Sequence, residues 1–114
     1  MLFRSFVFPT DNVVVAGMAV VLRTTVPAHQ VTVSGDMGSL AAGCTAAMTV
    51  DYYKLGLQAA QLGADILEGR TTAAETPIGV QDVKNPTFNV TAMKRLGLEI
   101  PEDLKAGALL WQKK

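Results

Sequence analysis

The stretch LFRSFVFPTDNVVVAGMAVVLR, residues 2–23, decides how the rest of the chain is read. Phe3, Phe6, Val7 and Phe8 form a short apolar run that stops at Pro9, the pattern of a buried strand over Leu2–Phe8. A polar turn follows. Asp11 or Asn12 can cap a helix there, because either side-chain oxygen accepts from an orphan amide of the first turn, worth about 1 kcal/mol. The helix is predicted over Val13–Arg23 and must end before Pro27. Its valines are poor helix formers, and burial is expected to override that preference.

Downstream, the same alternation repeats. Gln30–Ser34 reads as a second strand, with Val31 and Val33 on one side, broken by Gly35-Asp36-Met37-Gly38. Ser39–Ala46 is rich in small residues and suits a short helix, followed by a short strand over Ala47–Val50. The clearest helix is Asp51–Glu68, capped by Asp51 and closed at Gly69. Tyr52, Leu55, Ala59, Leu62 and Ile66 recur at three- and four-residue steps, so that face is expected to pack on a sheet. Pro77–Val80 and Phe88–Val90 read as extended, Thr91–Leu96 as a short helix stopped by Gly97, and Pro101 as the first residue of a final helix through Leu110. Strands alternating with helices imply parallel β-α-β units, because parallel strands need a crossover and here the crossover is helical. The expected fold is α/β, a parallel sheet with flanking helices, and 114 residues suit a single domain, residues 1–114.

Composition narrows the function. Ten basic and ten acidic side chains cancel, and 49% of the residues are hydrophobic, which is globular rather than disordered. With no basic run beyond Lys113-Lys114, nucleic acid is not an expected partner. One histidine, His29, and one cysteine, Cys44, leave a zinc site short of ligands and exclude an intramolecular disulfide. His29 is read as an exposed loop residue and Cys44 as a buried small hydrophobe. No metal and no cofactor is expected, and no acid–base or nucleophile set points to an enzyme. Arg4 and the apolar Val13–Leu22 segment do not make a signal peptide, because Pro9-Thr10-Asp11-Asn12 splits them.

In open α/β sheets, ligands bind beyond the carboxyl ends of the strands, where loops converge. Two segments hold that position in this reading: Pro9-Thr10-Asp11-Asn12 and Ser34-Gly35-Asp36-Met37-Gly38-Ser39. Asp36, with the glycines Gly35 and Gly38 around it, can reach a ligand ammonium or hydroxyl, or it can cap the next helix. Asp11 and Asn12 carry the same two readings. Tyr53 offers an aromatic face and a phenol, whereas Tyr52 falls on the apolar stripe.

Taken in order, Phe6–Leu22, the Ser34-Gly35-Asp36 turn, Val50-Asp51-Tyr52-Tyr53-Lys54-Leu55-Gly56, Ile66-Leu67-Glu68-Gly69 and Leu96-Gly97-Leu98-Glu99-Ile100-Pro101-Glu102 resemble consecutive blocks of one family. That family is the ABC-transporter substrate-binding proteins, including binders of tryptophan and tyrosine. The resemblance implies a type I periplasmic-binding-protein fold, two α/β lobes closing on a small-molecule solute that passes to an ABC permease. It implies that this chain is part of the C-terminal lobe, working in the periplasm or outside the cell against the membrane. Thr10, Asp11, Asn12, Asp36 and Tyr53 would then be ligand-binding, with Asp36 meeting an amino-acid ammonium. Thr49 departs from the family, which usually has glycine there. A second expectation is a homo-oligomer, formed through the face the missing lobe would cover.

Overall fold

The computed structural model describes residues 5–83 and 85–112. It divides into two compact units, one made of residues 1–49 and 84–114, the other of residues 50–83.

The first unit is built on a five-stranded sheet in the order β1-β2-β3-β4-β5. These strands are Ser5–Phe8, Val31–Ser34, Ala46–Ala47, Thr87–Asn89 and Leu109–Trp111. The helices of this unit are α1 (Asn12–Thr25), α2 (Met37–Ala42), α4 (Val90–Leu96) and α5 (Glu102–Lys105), with α3 lying in the second unit. β1, β2 and β3 run parallel, as do β4 and β5. The α/β expectation with a mostly parallel sheet holds. One pairing departs from it: β3 and β4 are antiparallel, with Ala47 opposite Thr87. Residues 48–86 therefore leave and rejoin the sheet at the same end, whereas a crossover would return the chain to the opposite one.

α1 is anchored by residues other than its valines, of which none is buried and Val13 and Val20 are exposed, so the expected burial of the valines does not hold. Its Met18 and Leu22 pack with Cys44, and Phe8, Val14, Val21 and Val26 close around them. A second cluster joins Ala46, Phe88 and Met93, with Val33, Ile100 and Ala108 packed against it. In β2 the deeper positions are Thr32 and Ser34, not the two valines. Thr32 accommodates its polar atoms by trading hydrogen bonds with Thr45, amide to hydroxyl in both directions at 3.2 Å. His29 is exposed, as expected, and takes a positive φ of 51° at the end of its turn.

Four boundaries differ from the sequence reading. α2 begins at Met37, because Asp36 caps it. β3 is only Ala46–Ala47. The last helix ends at Lys105, and Leu109–Trp111 forms a strand, drawn to the sheet by the Leu109 amide donating to the Pro86 carbonyl at 2.9 Å. Pro77–Val80 is not a strand; Ile78 and Val80 are exposed, and the segment has no ladder. The first three residues of the expected Leu2–Phe8 strand lie outside the described residues.

In the second unit, α3 spans Tyr52–Leu67. Asp51 caps it, its Oδ1 accepting from the amides of Tyr53 and Lys54, both at 3.1 Å. Gln81 clips the downstream segment back onto the helix start: it accepts from the Asp51 amide at 2.7 Å and donates to the Asp51 carbonyl at 3.1 Å. Gly69 takes φ 72°, the left-handed turn expected after the helix, and lets the Arg70 amide reach the Asp65 carbonyl at 2.9 Å. The stripe expected to pack on a sheet is not buried. No residue of α3 is buried, and Tyr52 is 62% exposed, which corrects its reading as a core residue.

Candidate functional site

Parallel pairing places Phe8 opposite Ser34, so the loops after β1 and β2 emerge side by side at one end of the sheet. They are tied together. The Gly35 amide donates to the Phe8 carbonyl at 3.1 Å, and the Thr10 hydroxyl donates to the Gly35 carbonyl at 2.9 Å. A Cβ on residue 35 would stand 2.5 Å from Thr10 Oγ1 and 3.2 Å from the Thr10 amide nitrogen, so this close approach requires glycine.

Both aspartates cap helices. Asp11, exposed, accepts from the Val13 and Val14 amides at 2.9 and 3.0 Å. Asn12 is the first residue of α1 and is exposed. Asp36 is buried, and each of its oxygens meets Ser39: Oδ1 accepts from the amide at 2.8 Å and Oδ2 from the hydroxyl at 2.7 Å. The carboxylate keeps lone pairs beyond these two bonds, since ionised Asp has about four acceptor sites. Ser34 completes the loop by donating its hydroxyl to the Asp36 carbonyl at 2.9 Å.

Thr10, Asp11, Asn12 and Asp36 thus share one end of the first unit's sheet. Tyr53 belongs to the second unit, where it is 76% exposed near the start of α3. Met48 was missed. It follows β3 at the same end as Asp36, donates its amide to the Ser34 carbonyl at 3.0 Å and leaves its side chain half exposed. The strand expected over Ala47–Val50 covers this position; the signal that separates it from the strand is the two-alanine length of β3 before it.

This arrangement offers hydrogen-bond acceptors and negative charge, which suit a cationic or hydroxyl-bearing ligand. Cys44 lies in the core beneath it. Burial pushes its thiol up, the Thr32 hydroxyl opposes that shift and the charge of Asp36 adds to it. Among the described residues no cluster of three metal-ligating side chains occurs, and no helix is long and apolar enough to cross a membrane.

Residues 3–110 match the family of ABC transporter substrate binding proteins. The chain belongs to that family. A tyrosine-binding protein from Clostridioides difficile is 29% identical over 91 residues, covering 80% of this chain and 26% of its own length. Among solved structures, a substrate-binding protein with adhesive properties from Clostridium difficile, in its ligand-free, open form, matches with a TM-score of 0.78 at 24% identity. A conserved domain protein from Vibrio cholerae matches with a TM-score of 0.76 at 26% identity. Each of these two matches covers 96% of this chain and 36% of the solved one. A Streptococcus protein solved in complex with L-Trp matches with a TM-score of 0.77 at 21% identity, over 94% of this chain and 36% of that one. The chain therefore spans about a quarter of the curated relative and about a third of the solved ones.

Proposed function

We propose that this chain is part of the ligand-holding C-terminal lobe of an ABC importer's binding protein, and that it binds rather than transforms its solute. The solute is a small molecule with an ammonium group, an aromatic amino acid being the best-supported class. The relatives that carry this reading are a tyrosine-binding protein and a structure holding L-Trp. In this reading Thr10, Asp11, Asn12 and Asp36 line the cleft wall, and Asp36 receives the ammonium. The complete protein works outside the cell or in the periplasm and delivers to a permease. The observation that supports this most directly is the emergence of the Asp11 and Asp36 loops at the same end of adjacent parallel strands.

The experiment supplies the sequence that relatives have beyond the matched third, as a fusion, and titrates L-tyrosine and L-tryptophan by calorimetry. Binding lost in Asp36→Asn, with the fold unchanged by circular dichroism, supports the assignment. Equal affinity in that variant removes Asp36 from the site.

A second reading, self-association, is favoured by one observation. The outermost strands of the sheet carry exposed apolar side chains, Val7 at 77% on β1 and Leu110 at 65% on β5. Sedimentation of the 114-residue chain separates the two: a stable dimer that takes up no amino acid at millimolar concentration supports self-association.

A further inference from the structure

The opposite end of the sheet carries a second constellation. β4 runs against β3, so its last residue, Asn89, lies beside the start of β3, where its amide donates to the Thr45 carbonyl at 3.0 Å. Trp111, near the end of β5, is the register partner of Asn89. Thr91 and Arg95 stand four residues apart on α4, one above the other on the same helical face. Together these residues line a cavity of about 190 Å³ whose remaining wall is the small-residue end of α2, including Ala42 and Gly43.

The chemistry of the lining is specific. Asn89 is a wall and not a ligand group, because its amide donates to the Leu40 carbonyl at 2.9 Å and its oxygen accepts from the Ala92 amide at 3.0 Å. Among the described residues Arg95 makes no ion pair or hydrogen bond, and none of those lining the cavity carries a carboxylate. An uncompensated guanidinium is a fork of donors suited to a planar, two-oxygen anion. Trp111, half-buried, brings an indole whose face suits a ring. At roughly 30 Å³ per water, the cavity holds about six waters' worth of volume, which fits one ring and its carboxylate. It is below the ~300 Å³ where drug-sized sites begin.

We infer that this cavity is a binding site for a small planar carboxylate, a single-ring aromatic or heteroaromatic acid, held by Arg95 and stacked on Trp111. The site is independent of the ligand end of the lobe proposed above and stands whether or not that proposal does.

Trp111 is the one tryptophan of the chain, so its fluorescence reports this site alone. The 114-residue chain is titrated with benzoate, with its neutral isostere benzamide and with inorganic phosphate. Saturable quenching by millimolar benzoate is expected, with benzamide and phosphate each weaker by about tenfold or more, since one needs the charge and the other lacks the ring. Arg95→Gln should weaken benzoate about tenfold, and Arg95→Lys should weaken it less, because charge survives without the fork. Arg95 is exposed, so its replacement should leave the fold intact, which circular dichroism of the variants checks. Quenching that stays linear, that benzamide or phosphate reproduces, or that is unchanged in Arg95→Gln overturns the assignment.

Discussion

α1 and α3 teach opposite lessons about the same kind of pattern. α1 is crowded with β-branched residues that disfavour helix, yet it buries Met18, Leu22 and Thr25 under the first unit's sheet. α3 has the more regular apolar stripe and the better helix formers, yet none of its residues is buried. Periodicity states which face of a helix seeks apolar company. It does not state where that company lies.

The sharpest way to break this contrast is a pair of truncations. Met18 is fully buried, so Met18→Ala should cost about 2–5 kcal/mol in denaturant unfolding through lost transfer energy and the cavity left behind. Ile66→Ala on the α3 stripe should cost about 1 kcal/mol or less in this chain. Equal costs would mean that α3 is anchored after all. An effect between these two is expected at the joined loops. Gly35→Ala forces Thr10 Oγ1 away and should cost about 1–3 kcal/mol. Much of that cost should vanish when the same change is made in a Thr10→Ala background, and a double-mutant cycle reads the difference.

Caps compare the two units on equal terms, since Asp11 and Asp51 each accept from two amides. Either residue changed to Ala should cost about 1 kcal/mol. The loss at Asp11 should register in global unfolding, and the loss at Asp51 as faster hydrogen exchange confined to the first turn of α3. The smallest effect concerns Asp65. Its carboxylate is held below its ordinary value of 3.8, first by the Arg70 guanidinium and then by the Gln61 amide. A depressed folded value means that its stabilisation is full above the ordinary carboxylate range and fades as pH falls through the lowered value. An NMR titration should place the Asp65 midpoint below 3.8, and Arg70→Ala should move it back up.

The first β-α-β unit was legible because each signal in it agreed. Phe8 ends at a proline, Asp11 caps, and Val31–Ser34 stops at a glycine, so local chemistry and tertiary packing point the same way. Asp36 and Asp11 were legible as residues at the strand ends, because strand–turn–helix order fixes that position. The alternative role weighed for each, helix capping, is the one the hydrogen bonds display. What stayed hidden depends on distant partners. Leu109–Trp111 becomes a strand only because β4 offers it an edge, and Ile78 and Val80 fail to become one for want of any edge. Met48 emerged only with β3's true length, and the cavity at Arg95 joins residues from α2, β4, α4 and β5 that no local pattern could assemble.

The antiparallel placement of β4 beside β3 also has a consequence for how the molecule is made. Ala46 and Phe88 share a cluster, but everything between them must be translated before they can meet. At ribosomal speeds of about 5–20 residues per second, that interval lasts roughly two to eight seconds. During it β3 can have its parallel neighbour β2 but not its antiparallel one, β4.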